Sequence, residues 1–289
     1  MLSIPAKILN SLRRALSPFA VGAGVYNGIC SVVKNRTFGL ELAARELRAK
    51  YAGQFLGGFW VLAHPMAQLL LLVFVFGFVF KQRIGGTNEL PRDYTTYILS
   101  GLVPWLSILP IFTGACSVVL AHSSMVKQFQ IDAEGLPLKD VFLSFIFLFV
   151  GVLLIASNVV IREGEIPWTY ALLPVVFTLH FLFATGVAWT LASLSVFLRD
   201  IKDFALVAVQ VGMYLLPIIY LPQWVPDMFK PVIELNPLSA MIWVYQDTLY
   251  FGRIEHPGAW LVFSGMAILA FSLGHRVFVR LKPHFGKVL

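Results

Sequence analysis

Apolar residues run along this chain in six long blocks, with the polar residues gathered between them. The blocks are Val61–Phe80, Tyr94–Ala121, Val141–Ile161, Trp168–Leu198, Phe204–Leu221 and about Ala259–Gly274. Each approaches the ~20 apolar residues that a helix needs to cross the hydrocarbon of a bilayer. His64-Pro65 interrupts the first block and no charge enters the second. The fourth is long enough to tilt or to end at the interface. The pattern predicts an all-α integral membrane fold with six transmembrane helices.

Shorter patterns fill the gaps. Within Arg36–Gly57, Leu40, Ala44, Leu47 and Tyr51 recur at helical spacing, while Glu41, Arg45 and Arg48 fall on another face. This predicts an amphipathic helix lying at the membrane interface and leading into the first span. Pro18–Val33 is apolar but broken by Gly22, Gly24, Asn27 and Gly28, and no small-residue cleavage pattern follows it. It reads as an uncleaved interfacial segment. Segment 222–258 is too apolar for a solvated loop, and Pro222, Pro226, Pro231 and Pro237 divide it. Two short re-entrant or surface helices, about 226–235 and 237–251, are expected between spans five and six, as the lid or mouth of a pathway.

Composition agrees: 58% of the 289 residues are hydrophobic and 13% charged, against roughly a quarter charged in soluble domains. Sixteen of the 22 Lys and Arg lie in alternate inter-span segments on one side and six on the other. The richer side is cytoplasmic by the positive-inside rule, which places both termini inside. The formal charge of +7 flanks apolar runs and forms no basic–aromatic groove, so nucleic-acid binding is not expected. Cys30 and Cys116 have neither disulfide nor metal spacing.

The chemistry is notable for what the sequence lacks. No Gly-x-x-x-x-Gly-Lys-Ser/Thr phosphate loop is present, since the one Gly-Lys pair, Gly286-Lys287, is followed by Val288. His-Glu-x-x-His and Gly-x-Ser-x-Gly motifs are also missing. All fifteen acidic residues fall outside the six blocks, and the ionisable groups within them are His64 and His180. Both read as structural histidines, His64 bonding backbone freed by Pro65. Ion-driven carriers place charged relays within their spans, so an ion-coupled flippase is disfavoured and energy should come from another chain. Asp227, Glu234, Asp247 and Glu255 are too scattered to support a membrane-embedded glycosyltransferase. The loop 123–138 has room for a short helix before Pro137, either docking on a partner domain or forming a plain helical hairpin.

Four stretches, in order, resemble the membrane subunit (permease) of ABC-2 type polysaccharide ABC exporters, which move O-antigen of lipopolysaccharide, capsule or teichoic acid. They are Arg45–Tyr51 with Leu56-Gly57-Gly58-Phe59-Trp60 and His64-Pro65; Gly101–Trp105; Val126-Lys127 through Glu134-x-Leu136-Pro137-Leu138; and Leu198–Ile201 followed by Pro217–Tyr220 and Leu235–Leu238. The resemblance covers about residues 40–250. It implies a non-enzymatic homodimer in the bacterial inner membrane, with two copies of a separate ABC ATPase subunit that holds the ATP and Mg. This chain would bind no cofactor or metal. A lipid-linked polymer would pass through a channel between the two copies. Rings that stack on sugar faces without fixing register are Phe59, Trp60, Tyr97, Trp105, Tyr214 and Tyr220. The ATPase contact would be the coupling loop with Met125, Val126, Lys127, Phe129, Asp132 and Glu134. The outer mouth would hold Trp224, Phe229, Trp243 and Tyr245. Residues 1–58 would form the cytoplasmic segment with its interface helix, 59–280 the membrane domain and 281–289 a cytoplasmic tail. An ABC-2 subunit for a drug or small lipid is the nearest alternative.

Overall fold

The computed structural model describes residues 18–55, 57–75, 92–128 and 132–288. Among them every regular element is helical. The main helices are α1 (Pro18–Tyr51), α2 (Trp60–Val73), α3 (Tyr94–Ala121), α4 (Ser123–Gln128), α5 (Leu138–Glu163) and α6 (Leu173–Ser195). They continue with α7 (Ile201–Gly212), α8 (Lys230–Glu234), α9 (Pro237–Gln246), α10 (Pro257–Leu281) and α11 (Phe285–Val288).

The two N-terminal segments expected from the sequence are one helix of 34 residues. Its glycines are contact points, not breaks. A Cβ on Gly24 would lie 2.1 Å from Ser272 Oγ, and one on Gly28 would lie 2.6 Å from the Phe271 ring. Both glycines let α1 lie close against α10. The packed face runs through Gly24, Gly28, Ser31, Asn35, Gly39 and Ala43, all buried. Roughly 150° around the helix, at ~100° per residue, Phe19, Tyr26, Ile29, Val33 and Leu40 point away from the protein. Lys34, Glu41, Arg45 and Arg48 form a third, exposed stripe. Leu40 continues this outward stripe, whereas Ala44 and Leu47 are half-buried and Tyr51 is buried; along 24–43 the face that grips the bundle is built of small and polar residues. Gly53, at φ 76°, turns the chain from α1 toward α2.

Among the described residues four helical stretches are long and apolar enough to cross a membrane: Tyr94–Ala121, Ala133–Arg162, Trp168–Ser195 and Pro257–Val288. The other two expected spans differ. Helix α2 has 14 residues, and the end of its block, 76–80, lies outside the described residues. Helix α7 has 12 residues, about 18 Å, before the chain turns irregular through 213–221. Pro217 removes a backbone donor there. The exposed carbonyls of this bend are taken by side chains. Gln246 Nε2 donates to Pro217 O at 2.9 Å, Tyr97 OH to Pro217 O and Tyr220 O, and Tyr94 OH to Ile219 O. Irregular backbone is tolerated in a bundle where protein groups satisfy it in this way.

Helix α3 is the centre of the bundle and packs on α5, α6, α7 and α9. Helices α6 and α10 cross most closely, at Gly186 and Gly274. Close approach through small residues is how helices associate where no hydrophobic effect separates protein from solvent. His180 is fully buried on α6. Its Nε2 lies 3.2 Å from Ser107 Oγ, and the rings of Phe145 and Tyr245 meet it edge-on.

Candidate functional site

The turn between α4 and α5 is bound tightly to three distant helices. Gly135 makes this possible, because a Cβ there would lie 2.7 Å from the Phe38 ring of α1. Leu136 and Leu138 are fully buried beside it. Glu134 turns inward, its side chain 15% exposed. Its Oε2 accepts from Ser31 Oγ of α1 and lies 3.5 Å from His275 Nε2 of α10. Its Oε1 accepts from Lys282 Nζ at 3.1 Å, and Trp189 Nε1 of α6 donates to its backbone oxygen at 2.9 Å. Asp132 pairs with Lys34 and, at 3.4 Å, with Lys282. The hydrogen bond from Lys34 holds the Asp132 carboxyl below the usual range, so the pair persists above that range and is lost as pH falls through the lowered value. One short turn thus joins α1, α6 and the end of α10.

Of the residues expected to contact a partner ATPase, Asp132 and Glu134 are engaged within the chain in this way. Val126 is half-buried on α4, which also carries Met125 and Lys127, and Phe129 lies outside the described residues. Ser31, Lys34, Trp189, His275 and Lys282 escape sequence reasoning. Their partners are 55 to 150 residues away, too distant for any local spacing to reveal.

The aromatic candidates divide. Tyr97 and Trp105 are buried in the bundle, at 1% and 3% exposure, and Tyr97 stacks on Tyr94. Phe59 and Tyr214 are largely exposed, and Trp60 and Tyr220 half-buried. In the segment expected at the mouth, Trp224 and Phe229 are exposed, Trp243 is half-buried and Tyr245 is fully buried.

That segment forms α8 and α9, and a π turn at Asp247–Phe251 follows α9. Asp247, fully buried, fastens the turn to the start of α10. Its Oδ2 accepts from the His256 backbone N–H and from Trp260 Nε1, both at 3.0 Å, and its Oδ1 is 2.8 Å from His256 Nδ1. Trp243 stacks on the His256 ring at 5.3 Å. A carboxylate–histidine pair can orient a general base, but no Ser, Thr or Cys side chain bonds to His256 among the described residues. The arrangement is a staple. Asp247→Ala strands three donors, and each buried unsatisfied group costs roughly 1–3 kcal/mol. We expect that variant to lose several degrees of thermal stability in detergent, with Asp247→Asn intermediate.

Among the described residues no cluster of three or more His, Cys, Asp or Glu could hold a metal ion. No family model matches the chain. It is 23% identical over 248 residues to the O-antigen export system permease protein RfbA of Klebsiella pneumoniae, an alignment that spans 85% of this chain and 92% of that protein. The RfbA permease of Myxococcus xanthus is 22% identical over 251 residues, spanning 86% and 94%.

Proposed function

We propose, for a chain related over most of its length to O-antigen export permeases, that it is the membrane subunit of an ATP-driven polysaccharide exporter. The observation that carries this reading is the similarity along 85% of this chain and 92% of the Klebsiella relative. The four long apolar helices support a multi-pass membrane protein. On this reading α2 and α7 complete a six-span set in the bacterial inner membrane, both termini are cytoplasmic, and ATP with Mg is held by two copies of an ABC ATPase. The cargo is a lipid-linked polymer such as O-antigen, capsule or teichoic acid.

Two copies of the chain enclose the pathway. Phe204, Val207 and Val211 support this, since they recur at helical spacing along α7 and are all exposed, as is Tyr214 just beyond its end. Such a face is covered by lipid or by another protein chain. The turn at Asp132–Leu138 receives the push of the ATPase. Its position against α1, α6 and α10 supports that role, because a displacement there reaches three helices at once.

The reading is tested by co-expressing the chain with candidate ABC ATPases. A complex of two permeases and two ATPases is expected to co-purify, with polymer export that stops when ATP hydrolysis is blocked. Transport by this chain alone, without ATP, would overturn it.

A further inference from the structure

A second polar centre lies apart from the Glu134 turn, where the end of α1 meets α2, α3 and α5. Lys139 and Asp140 open α5 and are both buried. Lys139 Nζ donates to Asp140 Oδ1 at 2.8 Å and to Glu46 Oε2 at 2.6 Å. Two carboxylates thus share one ammonium. Asp140 Oδ2 is buried and has no hydrogen-bond partner among the described residues, although a buried carboxylate oxygen ordinarily has one. The carboxylate is seated against the backbone of α3 at Gly114, where a Cβ would lie 2.3 Å from Oδ1.

Asp140 and Glu46 form one wall of an open cavity of about 320 Å³. Lys50, His64 and Gln68 supply donors elsewhere on its lining, and Leu143, Ile146 and Phe147 supply an apolar flank. That volume is at the lower end of small-molecule sites, ~300–1,000 Å³. On α5 the lining runs from the first turn, at Asp140, to the third, at Phe147, and on α3 it lies two to three turns from the helix end at Ala121; on the membrane-spanning reading the cavity lies where headgroups give way to acyl chains. Its charges are separated: excess acid on the Asp140 wall, and at Lys50 an ammonium that lies over the Tyr51 ring, 5.5 Å from its centroid. A purely anionic ligand meets the acid wall, and a purely cationic one meets Lys50. A zwitterion satisfies both.

We propose that this cavity binds the headgroup of a primary-amine phospholipid. Its ammonium completes the Asp140–Glu46–Lys139 cluster, its phosphate lies toward Lys50 and His64, and its chains follow Leu143, Ile146 and Phe147. A primary ammonium is required because Asp140 Oδ2 lacks a hydrogen-bond donor, and a trimethylammonium has none to give. The proposal needs only a membrane-embedded chain, so its failure would leave the export reading standing.

The test is native mass spectrometry of the purified full chain after exchange into mixed bilayers of phosphatidylethanolamine, phosphatidylcholine and phosphatidylglycerol. The wild-type chain is expected to retain phosphatidylethanolamine at least about tenfold over the other two. Asp140→Asn should abolish that preference, and Lys50→Ala, at a residue exposed enough for its variant to fold, should lower retention of phosphatidylethanolamine several-fold by removing the phosphate contact. Equal retention of phosphatidylcholine or phosphatidylglycerol by the wild type would overturn the proposal. So would unchanged retention of phosphatidylethanolamine in Lys50→Ala, whatever Asp140→Asn does.

Discussion

Replacing Glu134 by alanine is expected to lower the stimulation of a partner ATPase by this subunit, and polymer export with it, at least about tenfold, while the chain still inserts and assembles. Tenfold corresponds to ~1.4 kcal/mol. The carboxylate gathers Ser31 of α1 and Lys282 at the end of α10, with His275 of α10 3.5 Å away. A hydrogen bond to a charged group is worth about 1.5–3 kcal/mol, and its loss here also leaves Lys282 with a weaker acceptor in Asp132. What disappears is the connection between the turn and two helices. Glu134→Gln keeps an acceptor for Ser31 and loses the charge facing Lys282, so it should fall between. Lys34→Ala removes a side chain that is 72% exposed and screened by water, so it should change little. Wild-type stimulation in Glu134→Ala would show that the turn does not transmit force through this carboxylate.

Gly186→Ala is expected to be the most damaging single-methyl change in the bundle. The added Cβ would lie 2.2 Å from the backbone carbonyl carbon of Ala270 and 2.3 Å from its oxygen. No side chain can rotate away, because both atoms are main chain, so α6 and α10 must separate. Overpacking of this kind costs about 1–3 kcal/mol and sometimes more. Gly274→Ala meets the same crossing from the other side, 2.2 Å from Gly186 O. Gly265, also on α10, faces open space, and alanine there should be neutral or stabilising by up to about 1 kcal/mol. Thermal unfolding of the three variants in detergent separates these outcomes. An unchanged midpoint for Gly186→Ala would refute the close crossing.

The sequence was most readable where a single period governs a whole element. The blocks at Tyr94, Val141, Trp168 and Ala259 correspond to long helices because twenty apolar residues have few other uses. Segment 222–258 was readable through its prolines, and α8 and α9 both have proline in their first turn. Span five was harder. Its residues are apolar enough to cross, yet the chain bends after Gly212 because Gln246, Tyr97 and Tyr94 stand ready to satisfy the freed carbonyls. Those partners lie 29 to 125 residues away. The packed face of α1 was hidden for a related reason: Gly24, Gly28 and Gly39 look like helix weaknesses until a neighbour presses against them. The acids were visible only as residues outside the apolar blocks. Asp140 stands one residue before its block, and its burial depends on a glycine of another helix.

The continuity of α1 gives it a mechanical property. A rod of 34 residues is about 51 Å long, and it bears on α10 at Gly24 and Gly28, on the Glu134 turn at Ser31 and Asn35, and on α5 at Gly39. Such a rod behaves as a lever whose fulcrum is near Gly39. Tyr51 is 12 residues beyond that point, about 18 Å, so a 10° swing displaces it by about 3 Å. The same swing would move Glu46 and Lys50 relative to Asp140, so a displacement of the turn between α4 and α5 would change the width of the cavity they line at the far end of the helix.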